Sequence, residues 1–194
     1  MNPIRCRCGA VQGTVADGSI NNRVRCYCKD CQAFARFLGR ASEILDQSGG
    51  TDIVQVAQVR VRFSSGLERL AAVRLTEAGM LRWYASCCNT PIGNTMRDPK
   101  WAFVGLIHSC LAGEQVAGAF GSKVARVNTS SAIGDPKPEG GRLPGFMFRL
   151  LGIVVSARLF RERHASPFFD SSGATVVTPR VLSAAELEQF NSAA

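Results

Sequence analysis

Apolar residues alternate with polar ones along several short stretches in the first half of the chain. "IVQVAQVRVRF" (53–63) alternates from Val59 to Phe63, "LERLAAVRL" (67–75) follows the turn "SSG", and "MLRWYAS" (80–86) follows "TEAG". Short strands joined by glycine-bearing turns predict an antiparallel meander. "WAFVGLIHS" (101–109) adds a further strand, and "PIRCRCGAVQGTV" (3–15) a short strand with a turn. The period changes elsewhere. "QAFARFLGR" (32–40) sets Phe34, Phe37 and Leu38 on one helical face, with Gly39 as the stop. "FMFRLLGIVVSARLFRER" (146–163) reads as a helix that is apolar over much of its circumference, its charges being Arg149, Arg158, Arg161 and Arg163. Near the C-terminus, Ser183 followed by Glu186 predicts a capping box and a last short helix. The pattern predicts a mainly β fold.

"GDPKPEGGRLPG" (134–145) is dense in glycine and proline and marks a boundary. We therefore divide the chain into a β domain over 1–133 and a linker with a helical extension over 134–194, packed on the domain or on a partner.

Composition narrows this picture only a little. With 194 residues, 46% hydrophobic and 20% charged, the chain can build an ordinary core. No apolar h-region follows the basic start, and no apolar run is long enough to span a bilayer. We expect a cytoplasmic protein. The net charge of +8 favours anionic partners, but the basic residues are dispersed with no run of five, which argues against nucleic acid as the main partner.

The eight cysteines change the picture most. In a reducing compartment, clustered thiols read first as metal ligands rather than disulfides. Cys26, Cys28 and Cys31 form a C-x-C-x-x-C array within six residues. In an extended segment Cys26 and Cys28 share a face, and a turn through Lys29 and Asp30 returns Cys31 to the same point. Zinc suits three such thiolates, and three ligands leave a fourth position open, as in catalytic sites. Spacing alone leaves equally open a site closed by Cys110 or His108. "CRCG" sets Cys6 and Cys8 on one face as well, and such a pair needs two further ligands from elsewhere. "SCCNTP", with Cys87 and Cys88, is the source that the sequence offers. In a strand, adjacent residues point to opposite faces, so both sulfurs can face one ion only through a local kink.

These motifs together resemble the glutathione-dependent formaldehyde-activating enzyme and centromere protein V family over about residues 4–110. Cys6-Arg7-Cys8-Gly9 and Cys26-Tyr27-Cys28-Lys29-Asp30-Cys31-Gln32 match its first two motifs. The resemblance implies a β-tent of small antiparallel sheets held by zinc, here with a C-terminal helical extension. It implies a structural zinc on Cys6, Cys8 and the later pair, and a second zinc on Cys26, Cys28 and Cys31 at the catalytic position. It also implies a carbon–sulfur lyase type of activity on glutathione–aldehyde adducts, with glutathione as co-substrate. The third motif departs from the pattern. Ala85 stands where the family has its first cysteine, and Asn89 where it has glycine. Either Cys87 supplies the missing thiol, which we expect, or the site is remodelled. Asn89 tolerates the positive φ that a glycine would supply.

Arg25 and Lys29, beside the array, are candidates for holding the carboxylates of glutathione. His108 and Cys110 lie in an apolar run and read as core residues rather than ligands. His164 sits at a helix end, where the dipole accounts for it. The helix at 146–163 is expected to pack on the sheet or on a second subunit, giving a possible homodimer. A membrane surface is the less favoured reading, because its charges do not gather on one face. The other functional class is a non-catalytic, zinc-stabilised module binding protein or nucleic acid.

Overall fold

The fold was analysed in a computed structural model, which describes residues 1–18, 20–111, 116–141, 143–159 and 166–192. The described residues form eleven strands in two sheets, with a few helices. The smaller sheet has the order β1 (Asn2–Arg5), β2 (Gln12–Val15), β5 (Val61–Ser65). In the larger, eight-stranded sheet, the central antiparallel run is β3 (Asn22–Cys26), β4 (Thr51–Ala57), β9 (Phe103–Ile107), β8 (Thr90–Thr95), β7 (Leu81–Ala85), β6 (Leu70–Arg74). Its two edges are β10 (Val124–Val127) beside β3 and β11 (Arg180–Val181) beside β6, and both edges pair in parallel. The chain is mainly β, as expected, but the expectation of small antiparallel sheets is corrected. One sheet is large, and chain segments from far along the sequence return to close it on both sides.

The run 53–63 is not one strand. It breaks at a 3-10 turn, Gln58–Arg60, so that β4 enters the large sheet and β5 the small one. Side chains hold this corner. The buried Gln58 donates through Nε2 to the carbonyl of Phe103 at 3.0 Å and accepts from the Ser166 hydroxyl at 2.6 Å. Arg60 donates to the carbonyls of Ala16 and Ile20.

Strand β8, "TPIGNT", has no alternation to betray it, because all six residues are buried. Pro91 is tolerated at its start, since pairing with β9 begins only at Gly93. At Gly93 the backbones approach closely: a Cβ there would sit 2.8 Å from the Gly105 carbonyl oxygen.

The main core lies between the sheets, around Ile4, Val11, Val15, Trp83, Ile92, Leu106 and Phe168. Trp83 Nε1 donates to Thr95 Oγ1 at 2.9 Å, so the largest buried side chain leaves no polar atom unpaired. Phe168 and Phe169, well beyond residue 134, are buried in this core. A second cluster joins α1 (Lys29–Phe37), α2 (Ala41–Ile44) and α5 (Ala184–Ser192) to β6 through Phe34, Leu38, Ile44, Val73 and Leu182. The capping box forms: Ser183 N and Oγ both donate to Glu186 Oε2 at 2.9 Å. The short α3 (Val116–Phe120) adds Phe120 to the main core. Helix α4 (Leu143–Leu159) lies on the large sheet, burying Ile153, Val154 and Ala157 against Ala57 and Phe103. Arg161, Arg163 and His164, assigned above to the end of this helix, lie outside the described residues.

Candidate metal centres

Two groups of thiols are brought together. The first begins in the β1–β2 turn, where Gly9, at φ 78°, closes a tight loop. The Cys6 carbonyl accepts from Gly9 N–H at 2.9 Å, and Val11 N–H points at Cys6 Sγ at 3.2 Å. Such backbone donors stabilise a thiolate. The β7–β8 turn supplies the other half. Cys87 and Cys88 lie between the strands rather than in one, and Asn89 takes φ 52°. The kink that two inward sulfurs require is therefore present, and Asn89 does the work of a turn glycine. Arg7 N–H donates to Thr90 Oγ1 at 3.0 Å, fastening the two turns together.

The sulfurs of Cys6, Cys8, Cys87 and Cys88 all lie within 4.8 Å of one another. The separations are 3.6 Å for Cys6–Cys8, 3.9 Å for Cys6–Cys87, 3.3 Å for Cys8–Cys87 and 3.8 Å for Cys87–Cys88. A tetrahedral zinc with bonds of ~2.3 Å sets its sulfurs about 3.8 Å apart. The donor set and its spacing fit zinc. Ala85, where the motif led us to look for a ligand, is instead a fully buried strand residue in the core.

The second group is Cys26, Cys28 and Cys31. Cys26 ends β3, Cys28 is the N-cap of α1, and Cys31 lies one turn inside the helix. Cys28 Sγ accepts from Cys31 N–H at 3.4 Å. A helix N-terminus favours negative charge, so this is a suitable place for thiolates. Hydrogen bonds from Cys28 and Cys31 hold the Cys26 thiol down at about 2. The bonds to Cys26 and Cys28, together with burial, push Cys31 well above the usual thiol range. Among the described residues no fourth metal-ligating side chain joins this group.

Instead the group faces a cleft of about 230 Å³ with apolar walls that include Val24, Ile53, Phe103 and Phe146. Three side chains that the sequence reading missed stand over the thiols. Arg82, with its side chain only 4% exposed, directs Nη1 at Cys31 Sγ at 3.9 Å and at Asn94 Oδ1 at 3.4 Å. Its Nη2 meets Asp30 Oδ2 at 3.3 Å, and the guanidinium lies 5.6 Å from the centre of the Phe34 ring. Asn128, at φ 56° just after β10, donates from Nδ2 to Cys26 Sγ at 3.3 Å. Asn94 lines the cleft from β8.

Arg25 and Lys29 do not line this cleft. Arg25 faces Asp46 at 3.5 Å and Asp52 at 3.4 Å, and Lys29 is exposed at the start of α1. Among the described residues, the cation at the thiols is Arg82. His108 Nδ1 lies 3.3 Å from the Asp52 carbonyl, and Cys110 donates to the Ile92 carbonyl at 3.3 Å. Neither belongs to a thiol group. Burial pushes the Cys110 thiol up to about 12, so it stays protonated in the core. Cys110→Ala is accordingly expected to leave metal content unchanged and to cost about 1 kcal/mol of stability. Metal analysis and thermal unfolding check this.

No curated protein matches the chain. A crystal structure of a Rhodobacter sphaeroides protein, a structural-genomics target, is similar at 19% identity over 64% of this chain and 98% of its own, with a TM-score of 0.44. One family model runs over residues 1–171, taking in both thiol groups and most of the two sheets, and the chain therefore belongs to that family, the family of unknown function DUF6151.

Proposed function

We propose that the chain carries two zinc ions, a closed four-thiolate ion that clamps the fold and an open three-thiolate ion at which a thiol or thiol adduct is bound. The reaction we assign to it is the making or breaking of a carbon–sulfur bond in such an adduct, with a glutathione–aldehyde adduct as the test substrate. One observation carries this reading: Cys26, Cys28 and Cys31 open onto a cleft with no fourth ligand among the described residues. The likeness of the cysteine motifs to the formaldehyde-activating family supports it.

When bound, zinc lowers the pKa of a thiol in its open position and holds the sulfur beside the carbon it attacks or leaves. The residues of the cleft supply the rest. Arg82 offsets the negative charge of three thiolates. Asn128 fixes the direction of the Cys26 sulfur, as ligands are fixed by their outer hydrogen bonds. The apolar walls keep water from competing for the open position. When a hydroxymethyl thioether cleaves to a thiol and an aldehyde, its hydroxyl proton must leave as the C–S bond breaks. Among the described residues Asp30 is the carboxylate lining the cleft, and we assign it the role of accepting that proton.

Protein loaded with two zinc equivalents is expected to speed formaldehyde release from S-hydroxymethylglutathione, and Cys28→Ser to abolish this while the fold remains. Zinc-loaded protein that neither binds glutathione nor changes the rate would remove the proposal.

A further inference from the structure

Helix α4 presents two unlike faces. Ile153, Val154 and Ala157 are buried against the sheet, yet Phe148 is 76% exposed, Leu151 60%, Met147 58% and Val155 47%. At spacings of three and four residues these four form one outward stripe. Exposed Ile20 lies beside the helix, its Cγ2 3.6 Å from where a Cβ would stand on Gly152. Contiguous exposed apolar side chains of this size mark a surface that something covers.

Charge indicates what covers it. Helix α4 carries Arg149 and Arg158 and no acidic residue. A cleft of about 230 Å³ runs along its flank, lined by Asn22, Arg23, Lys123, Ala125, Gly145, Phe146 and Arg149, with no carboxylate among them. Neither Lys123 nor Arg149 has an ion pair among the described residues. Arg23 is 8% exposed, and its Nη2 pairs with Asp52 at 2.6 Å, but its Nε is buried with no partner. An unpaired N–H of a buried cation, beside two cations with no ion pair among the described residues, favours an anion.

We propose that this face docks on an anionic phospholipid surface. Met147, Phe148, Leu151 and Val155 enter the acyl boundary, and a headgroup phosphate is held in the cleft of Arg23, Lys123 and Arg149. A helix lying in the interface with an apolar stripe and basic flanks is the usual device of a peripheral membrane protein. Among the described residues no helix is long and apolar enough to cross a bilayer, which agrees with a helix that lies on one. A second copy of the chain is the poorer occupant. Pairing two α4 helices would bring their arginines together with no acid on either helix to offset them.

The test is co-sedimentation of the full chain with phosphatidylglycerol and phosphatidylcholine vesicles at low salt. Binding is expected to phosphatidylglycerol only and to weaken as salt rises. Phe148→Ser with Leu151→Ser, and separately Lys123→Glu with Arg149→Glu, should each lower vesicle affinity at least about tenfold. All four side chains project into solvent, and circular dichroism confirms that the fold is kept. Equal binding to both lipids, no binding to either, or unchanged binding by both double variants overturns the proposal. So does a dimer in the ultracentrifuge that Phe148→Ser with Leu151→Ser dissociates. Inorganic phosphate that perturbs Lys123 and Arg149 without any vesicle binding would also overturn it, as a phosphate site alone.

Discussion

Cys87→Ala is expected to reduce bound zinc from two equivalents to one and to lower the thermal midpoint by tens of degrees. Zinc in a small structural site contributes an apparent ~10–16 kcal/mol at neutral pH, as much as the whole net stability of a typical domain. The four-thiol group joins the β1–β2 turn to the β7–β8 turn, and thereby the small sheet to the large one. Removing one sulfur leaves three, of which Cys8 is exposed, so water and chelators reach the ion. Cys28→Ser should also lose one zinc equivalent but keep the midpoint within a few degrees, because α1 stays docked through Phe34 and Leu38. Native mass spectrometry with thermal unfolding separates the two. Full zinc content and an unshifted midpoint in Cys87→Ala would mean that another group completes the clamp.

Arg82→Met should weaken zinc at Cys26, Cys28 and Cys31 by about 10–100-fold while leaving the clamp intact. A buried guanidinium is costly unless matched by negative charge. Its one carboxylate partner among the described residues, Asp30, is 60% exposed and offsets that cost only in part. Three ionised sulfurs around a divalent ion carry a net charge of about −1, which Arg82 can balance. Methionine keeps the length and the apolar stem, so the cavity is small and the effect is one of charge. Arg82→Lys should recover little, since an ammonium cannot reach Cys31, Asn94 and Asp30 with one planar fork. Competition with a chromophoric chelator measures the affinity. An unchanged affinity in Arg82→Met would sink the charge argument.

The thiol groups were legible in the sequence because few residue types bind soft metals and because their spacing is short. Arg82 was not. In "MLRWYAS" nothing marks it out from an ordinary strand charge, and it is buried by side chains brought from elsewhere, Asp30, Cys31 and Phe34 of α1 and Asn94 of β8. Asn128 was hidden for another reason. It reaches Cys26 because β10 returns about a hundred residues later to pair in parallel with β3, setting Val127 opposite Cys26. No local pattern reports such a pairing. β9 is buried throughout and was still readable from its apolar run, whereas β8, equally buried, was not, because Pro91, Gly93 and Asn94 make it read as a turn. The departure at Ala85 was visible, but that Cys87 could turn inward depended on a turn that only Asn89 hinted at.

The two thiol groups also differ in when a growing chain can complete them. Cys26, Cys28 and Cys31 emerge within six residues of one another, so their ligands can meet on a nascent chain early in synthesis. The clamp cannot close until Cys88 has emerged, about eighty residues after Cys8, with β2 to β7 made in between. Domains fold as their segments leave the ribosome, and long loops close last. On the two-zinc proposal, metal supplied during translation would meet the two groups in sequence, and a shortage late in synthesis would strand a chain with its first thiol group filled and its second still open.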